Sequence, residues 1–111
     1  MSQKLSESDI FVLLSKRRRR LILRILREST TPLSTTELAN RVGEAEQENP
    51  SNEDLCHVSL ALSHNHLPRL DEADVVSHDR NDATVHPGSN FGILVRVLER
   101  VDERELPWSD E

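Results

Sequence analysis

A mainly α-helical domain with a small β-hairpin, in the α+β class, is what this sequence predicts. Three observations point there. Apolar residues recur at helical spacing in stretches between Ile10 and Val101. Two β-prone segments, Val75-Val76-Ser77-His78 and Thr84-Val85-His86, flank the turn signal Asp79-Arg80-Asn81-Asp82-Ala83. The length of 111 residues fits one domain rather than two.

The elements follow in order. Ser6 or Ser8 caps a first helix, with Asp9 in its first turn. Phe11 and Leu14, then Leu21, Ile22, Ile25 and Leu26, supply its apolar face, and Thr30-Thr31-Pro32 ends it. Leu33 is a short strand. Ser34 and Glu37 form a capping box for a helix that buries Leu38, Ala39 and Val42 and stops at Gly43. Glu44 to Pro50 is acidic and unperiodic, a loop. Ser51 or Asn52 caps a third helix with Leu55, Val58, Leu62 and His66 on one side and Leu60 and Leu67 on another; Pro68 ends or kinks it. After the hairpin, Pro87-Gly88-Ser89 leads into a last helix with Phe91, Leu94, Leu98 and Val101 at steps of three, four and three.

This order, helix, short strand, helix, helix, two-stranded hairpin, is that of a winged helix-turn-helix followed by a C-terminal helix. The expected organisation is a winged-helix domain over residues 9–87, a dimerisation helix over 88–106 and an acidic tail over 107–111. A helix about 10–12 Å across fits the major groove of B-DNA, and a hairpin wing reaches the neighbouring backbone.

Composition narrows the function. One cysteine, Cys56, excludes an internal disulfide, and no Cys/His array has zinc-finger spacing. The longest apolar run, Ile10 to Leu14, is far short of a membrane span, and no signal peptide is legible, so a cytoplasmic location is expected. No nucleophile–base pair, phosphate loop or carboxylate pair suggests an enzyme, and no cofactor, metal or small-molecule substrate is expected. Net charge is −6, split unevenly: residues 1–42 hold nine Lys/Arg against four Asp/Glu, and residues 43–111 hold five against sixteen. A basic face for an anionic partner on an acidic body follows. Two Lys against twelve Arg, with abundant carboxylates, points to a salt-accumulating host. An acidic protein from an arginine-biased genome is the plainer account.

The stretch His66-Leu67-Pro68-Arg69-Leu70-Asp71-Glu72-Ala73-Asp74-Val75-Val76 resembles the segment of ArsR-type winged-helix regulators in which the recognition helix runs into the first wing strand. Asp74 stands where that pattern carries Gly. Together with Leu13-Leu14-Ser15-Lys16-Arg17-Arg18-Arg19-Arg20-Leu21, the Ser34-to-Ala39 helix and His64-Asn65-His66-Leu67-Pro68, the chain is similar to a family of small haloarchaeal winged-helix domains over roughly residues 10–86. The resemblance implies the fold, a halophilic archaeon as host and a regulatory role.

Candidate DNA contacts come from three places. Arg17, Arg18, Arg19 and Arg20 offer forked donors for phosphates; the alternative is a solvated surface with pairs to Glu7, Glu28 or Glu37. His57, Ser63, His64 and Asn65 lie off the apolar stripe of the third helix, where Asn65 suits adenine. Arg80 and Asn81 occupy the wing tip. His66 is a packing residue. Cys56, His57, His64 and His66 lack chelating spacing along one helix. Phe91, Leu94, Leu98 and Val101 form the expected homodimer seam. Two functions stay open: a sequence-specific DNA-binding transcriptional regulator acting as a homodimer on double-stranded DNA, and a protein–protein interaction module on the same scaffold that binds no nucleic acid. A protein with ~6 phosphate contacts loses roughly five decades of affinity per tenfold rise in salt. In concentrated salt, base-edge and shape contacts must therefore carry binding.

Overall fold

The computed structural model describes residues 4–100. Six α-helices frame a three-stranded antiparallel sheet. Ser6 caps α1 (Glu7–Leu14) through a reciprocal box: the Asp9 N–H donates to Ser6 Oγ at 3.0 Å, and the Ser6 N–H donates to Asp9 Oδ2 at 3.1 Å. The first helical stretch is not continuous. Lys16 is extended (φ −107, ψ 130), and α2 (Arg17–Glu28) starts anew after it. The buried face of α2 centres on Ile22, Leu23 and Leu26, with Leu21 and Ile25 flanking it.

Strand β1 (Leu33–Ser34) leads into α3 (Thr35–Glu46), whose N–H at Glu37 donates to Ser34 Oγ at 3.0 Å. Gly43 does not end this helix. It is buried inside α3 where α4 crosses, and a Cβ there would stand 2.6 Å from Leu55 Cδ2. The glycine serves close helix packing rather than termination.

Ser51 caps α4 (Asn52–Ala61) with a second reciprocal box to Asp54. The helix then widens into a π-turn, Leu62–His66, and resumes as α5 (Leu67–Glu72) with Pro68 in its first turn. Proline offers no N–H and its ring clashes with the carbonyl four residues back, so a regular turn here would break. The wider π-turn accommodates the ring, and Pro68 does not end the helix. The extra residue in that turn also shifts the register, carrying Leu67 and Leu70 into the core while Leu60 stays 51% exposed.

Strands β2 (Val76–Asp79) and β3 (Thr84–Pro87) form the hairpin. β3 is the centre of the sheet, with β1 on its other side in the register Leu33↔Val85. The sequence-predicted wing is thus present, and the winged helix-turn-helix architecture with an added C-terminal helix holds. Asp74, at the position where the resembled pattern has Gly, is left-handed with φ 61, a conformation that glycine adopts without steric cost. Next to it, Gly88 is packed so closely that a Cβ would lie 2.5 Å from the Asp74 carbonyl oxygen. The Asn90 N–H donates to that oxygen at 2.7 Å and its side chain donates to Ala73 O at 2.9 Å, which pins the start of α6 (Phe91–Arg100) to the end of α5.

Candidate nucleic-acid interface

The arginine run divides three ways. α1 ends with carbonyls at Val12, Leu13 and Leu14 that need donors. Arg19 Nε donates to Leu13 O at 2.8 Å and its Nη2 to Val12 O at 3.1 Å; Arg20 Nη1 donates to Leu14 O at 2.6 Å. Both side chains are buried, Arg20 completely. Their charge sits at the negative end of the α1 dipole. The expectation that Arg19 and Arg20 grip phosphate is therefore corrected: they are the C-terminal cap of α1. Arg18 makes a forked pair with Glu46, Nε to Oε2 at 2.6 Å and Nη2 to Oε1 at 3.1 Å, tying α2 to the end of α3. Neither Glu28 nor Glu37 takes an arginine of the run; they lie beside Arg27 and Arg41. Only Arg17, with Lys16 before it, is exposed and without an ion pair among the described residues.

Around the π-turn, His57, His64 and Asn65 are exposed and Ser63 is half-buried. His57 stands apart from the others, lining a small cleft of about 150 Å³ with Glu46, Gln47 and Asp54. Asn65 Oδ1 already accepts a hydrogen bond from Arg69 Nε at 2.7 Å. Its two-point adenine contact would require that bond to break, whereas the terminal nitrogens of Arg69 take no part in it. Arg69 is the residue that sequence reasoning missed. The i, i+4 spacing from Asn65 was the available signal, hidden by placing the end of the helix at Pro68.

His66 lies beneath this surface, 5% exposed, with Nδ1 buried and without a hydrogen-bond partner among the described residues. Burial first, and then the positive charges of Arg19, Arg18, Lys16 and Arg69, lower its pKa to about 4. The imidazole is therefore neutral near pH 7. The positive charge felt at His66 thus comes from both the start of α2 and the first turn of α5.

The wing tip is organised by Asp79, whose Oδ1 accepts the N–H groups of Asn81 at 2.9 Å and Asp82 at 3.1 Å. Arg80 and Asn81 are exposed. Arg80 borders an open cleft of about 380 Å³ between α5 and the hairpin, with Pro68, Asp71, Glu72 and His78. Asp71 Oδ2 accepts the His78 N–H at 2.9 Å, fastening the hairpin to the helix. Carboxylates thus stand between Arg69 and Arg80, and Glu53 and Asp54 occupy the first turn of α4. The basic surface is a corner, not a strip.

The expected dimer seam does not face outward. Leu94 and Leu98 are buried in the domain's own core, and Phe91 packs partly against it. Arg27 Nη1 to Glu99 Oε2 at 2.7 Å adds a polar tie between α2 and α6. Helical spacing marks an apolar stripe but not which surface covers it, and here α1 and α2 do. Val101 and the tail over 107–111 lie outside the described residues. Among the described residues no three or more His, Cys, Asp or Glu come together as a metal site, and Cys56 is exposed and free. No helix among them is long and apolar enough to cross a membrane.

No curated protein and no solved structure matches the chain. A family model described as Domain of unknown function (DUF7344) matches residues 11–86, from α1 through the wing, and the chain belongs to that family.

Proposed function

We propose that this chain is a DNA-binding transcriptional regulator that presents the corner formed by Lys16, Arg17, His64, Asn65 and Arg69 to double-stranded DNA. The observation that carries the reading is that Asn65 and Arg69, joined at 2.7 Å, lie exposed beside His64, with exposed Lys16 and Arg17 at the start of α2 adding positive charge. Lys16 and Arg17 supply phosphate contacts, while His64 and the outer nitrogens of Arg69 face base edges. Arg80 reaches the backbone from the wing. The reading includes the ArsR-like class, two copies on two half-sites through a surface other than Leu94 and Leu98, and the cytoplasm of a salt-accumulating archaeon. The acidic, lysine-poor composition supports that host. No catalytic step is assigned.

One observation favours the second reading, a protein-binding module. Glu53 and Asp54 at the start of α4, and Asp71 and Glu72 beside Arg80, place negative charge where phosphates would run. Selection from random duplex DNA in molar potassium chloride separates the two. The DNA reading expects an enriched motif with the wild-type chain that weakens with Asn65→Ala, Arg69→Ala together. No enrichment, or equal enrichment by that variant, transfers the assignment to the protein-binding module.

A further inference from the structure

The outer face of α4 carries one large apolar side chain that the core does not use. Leu60 is 51% exposed, whereas Leu67, beyond the π-turn, is fully buried. One turn before Leu60 stand Cys56 and His57, and one turn after it Ser63 and His64; Ser63 is half-buried and the other three are exposed. No other large apolar side chain of α4 or the π-turn is exposed. The face therefore lacks the i, i+3, i+4, i+7 anchors by which a helix docks in the groove of a protein partner.

The DNA major groove has the matching composition. Its floor offers hydrogen-bond donors and acceptors and a single kind of apolar group, the 5-methyl of thymine. One leucine framed by imidazoles and a hydroxyl is the complement of one methyl framed by polar base edges. We propose that Leu60 packs on the 5-methyl group of a thymine and fixes that base in the sequence the chain selects. The inference rests on the DNA reading above, in which His64 faces base edges. Leu60 lies one turn from His64, about 6 Å along the axis, and a helix about 10–12 Å across brings both into the groove together. The contact neutralises no phosphate and releases no counterion. Unlike those of Lys16 and Arg17, it keeps its strength as salt rises.

Thymidine and deoxyuridine differ by that methyl alone, so the ratio of their affinities isolates the contact. The measurement takes the duplex enriched by selection and replaces each thymidine singly with deoxyuridine. Binding is compared for the wild type and Leu60→Ala, with circular dichroism checking that this exposed substitution keeps the fold. At one position the replacement should weaken wild-type binding about three- to fourfold, at low and at molar potassium chloride alike. Leu60→Ala should show no preference there, a comparison that also removes any effect of the methyl on the duplex itself. An enriched motif without thymine overturns the role of Leu60 and leaves DNA binding standing. So does a wild type indifferent to every replacement, or a preference that Leu60→Ala retains. Failure to enrich any duplex overturns both the role of Leu60 and the DNA reading beneath it.

Discussion

Acid sensitivity of the fold tests the environment of His66 in numbers. The imidazole ordinarily titrates at 6.5 and here at about 4, because burial and four neighbouring cations oppose its protonation. The unfolded chain takes up the proton as pH falls through 6.5, while the folded chain does so only near 4. The stabilisation is therefore fully present above 6.5, declines as pH drops through that window, and is exhausted below about 4. The full difference is about 3 kcal/mol, of which about 2 kcal/mol is lost between pH 7 and pH 5, above the ordinary carboxylate range. Urea denaturation followed by circular dichroism at both pH values, for wild type and His66→Leu, isolates the residue. Leucine fills the site without the orphaned Nδ1 and cannot be protonated. Subtracting its pH dependence removes contributions shared by both chains, including that of His78, whose pKa burial also lowers. The wild type should lose about 2 kcal/mol more than the variant over this interval. Parallel losses in the two chains would refute the reasoning.

Three further outcomes follow from the same geometry. Arg19→Met removes two donors from the α1 carbonyls and should lower stability by about 1–3 kcal/mol in urea denaturation, without changing the salt dependence of DNA binding. Arg17→Ala should do the reverse, leaving the melting temperature unchanged and reducing the slope of log affinity against log salt by about 1. Gly88→Ala pushes a methyl group against the Asp74 carbonyl and should cost about 1–3 kcal/mol, read as a lower denaturation midpoint with an unchanged urea dependence.

Local chemistry was legible in the sequence wherever a short-range rule decided it. Ser34 and Ser51 cap their helices because the hydroxyl and the N3 amide are close in the chain, and Asp79 to Ala83 turns because its side chains satisfy their own backbone. The order of elements and the wing followed from such rules. The rest depended on partners distant in sequence or on a change of helical register. Nothing in Arg19-Arg20 announces that α1 will end against them and need donors. Gly43 resembles a stop until Leu55 arrives to occupy the space above it. Pro68 resembles an end because the proline rule assumes regular α geometry, and the π-turn that accommodates it has no short-range signature. Leu94 and Leu98 carry the spacing of a seam, yet the same spacing serves packing on α1 and α2. In the candidate site, His64 and Asn65 were legible as exposed polar residues, whereas Arg69 and the positive charge felt at His66 required the fold.

The central claim, that the corner around the π-turn faces DNA, is tested most directly by amide chemical-shift mapping during titration with a mixed-sequence duplex at low salt. The account predicts shifts concentrated at Lys16 to Arg18 and at His64 to Arg69, with smaller changes at Arg80 and none on the outer face of α6. Shifts confined to α6 or to Phe11 and Val12, or no shifts at saturating duplex, would contradict it.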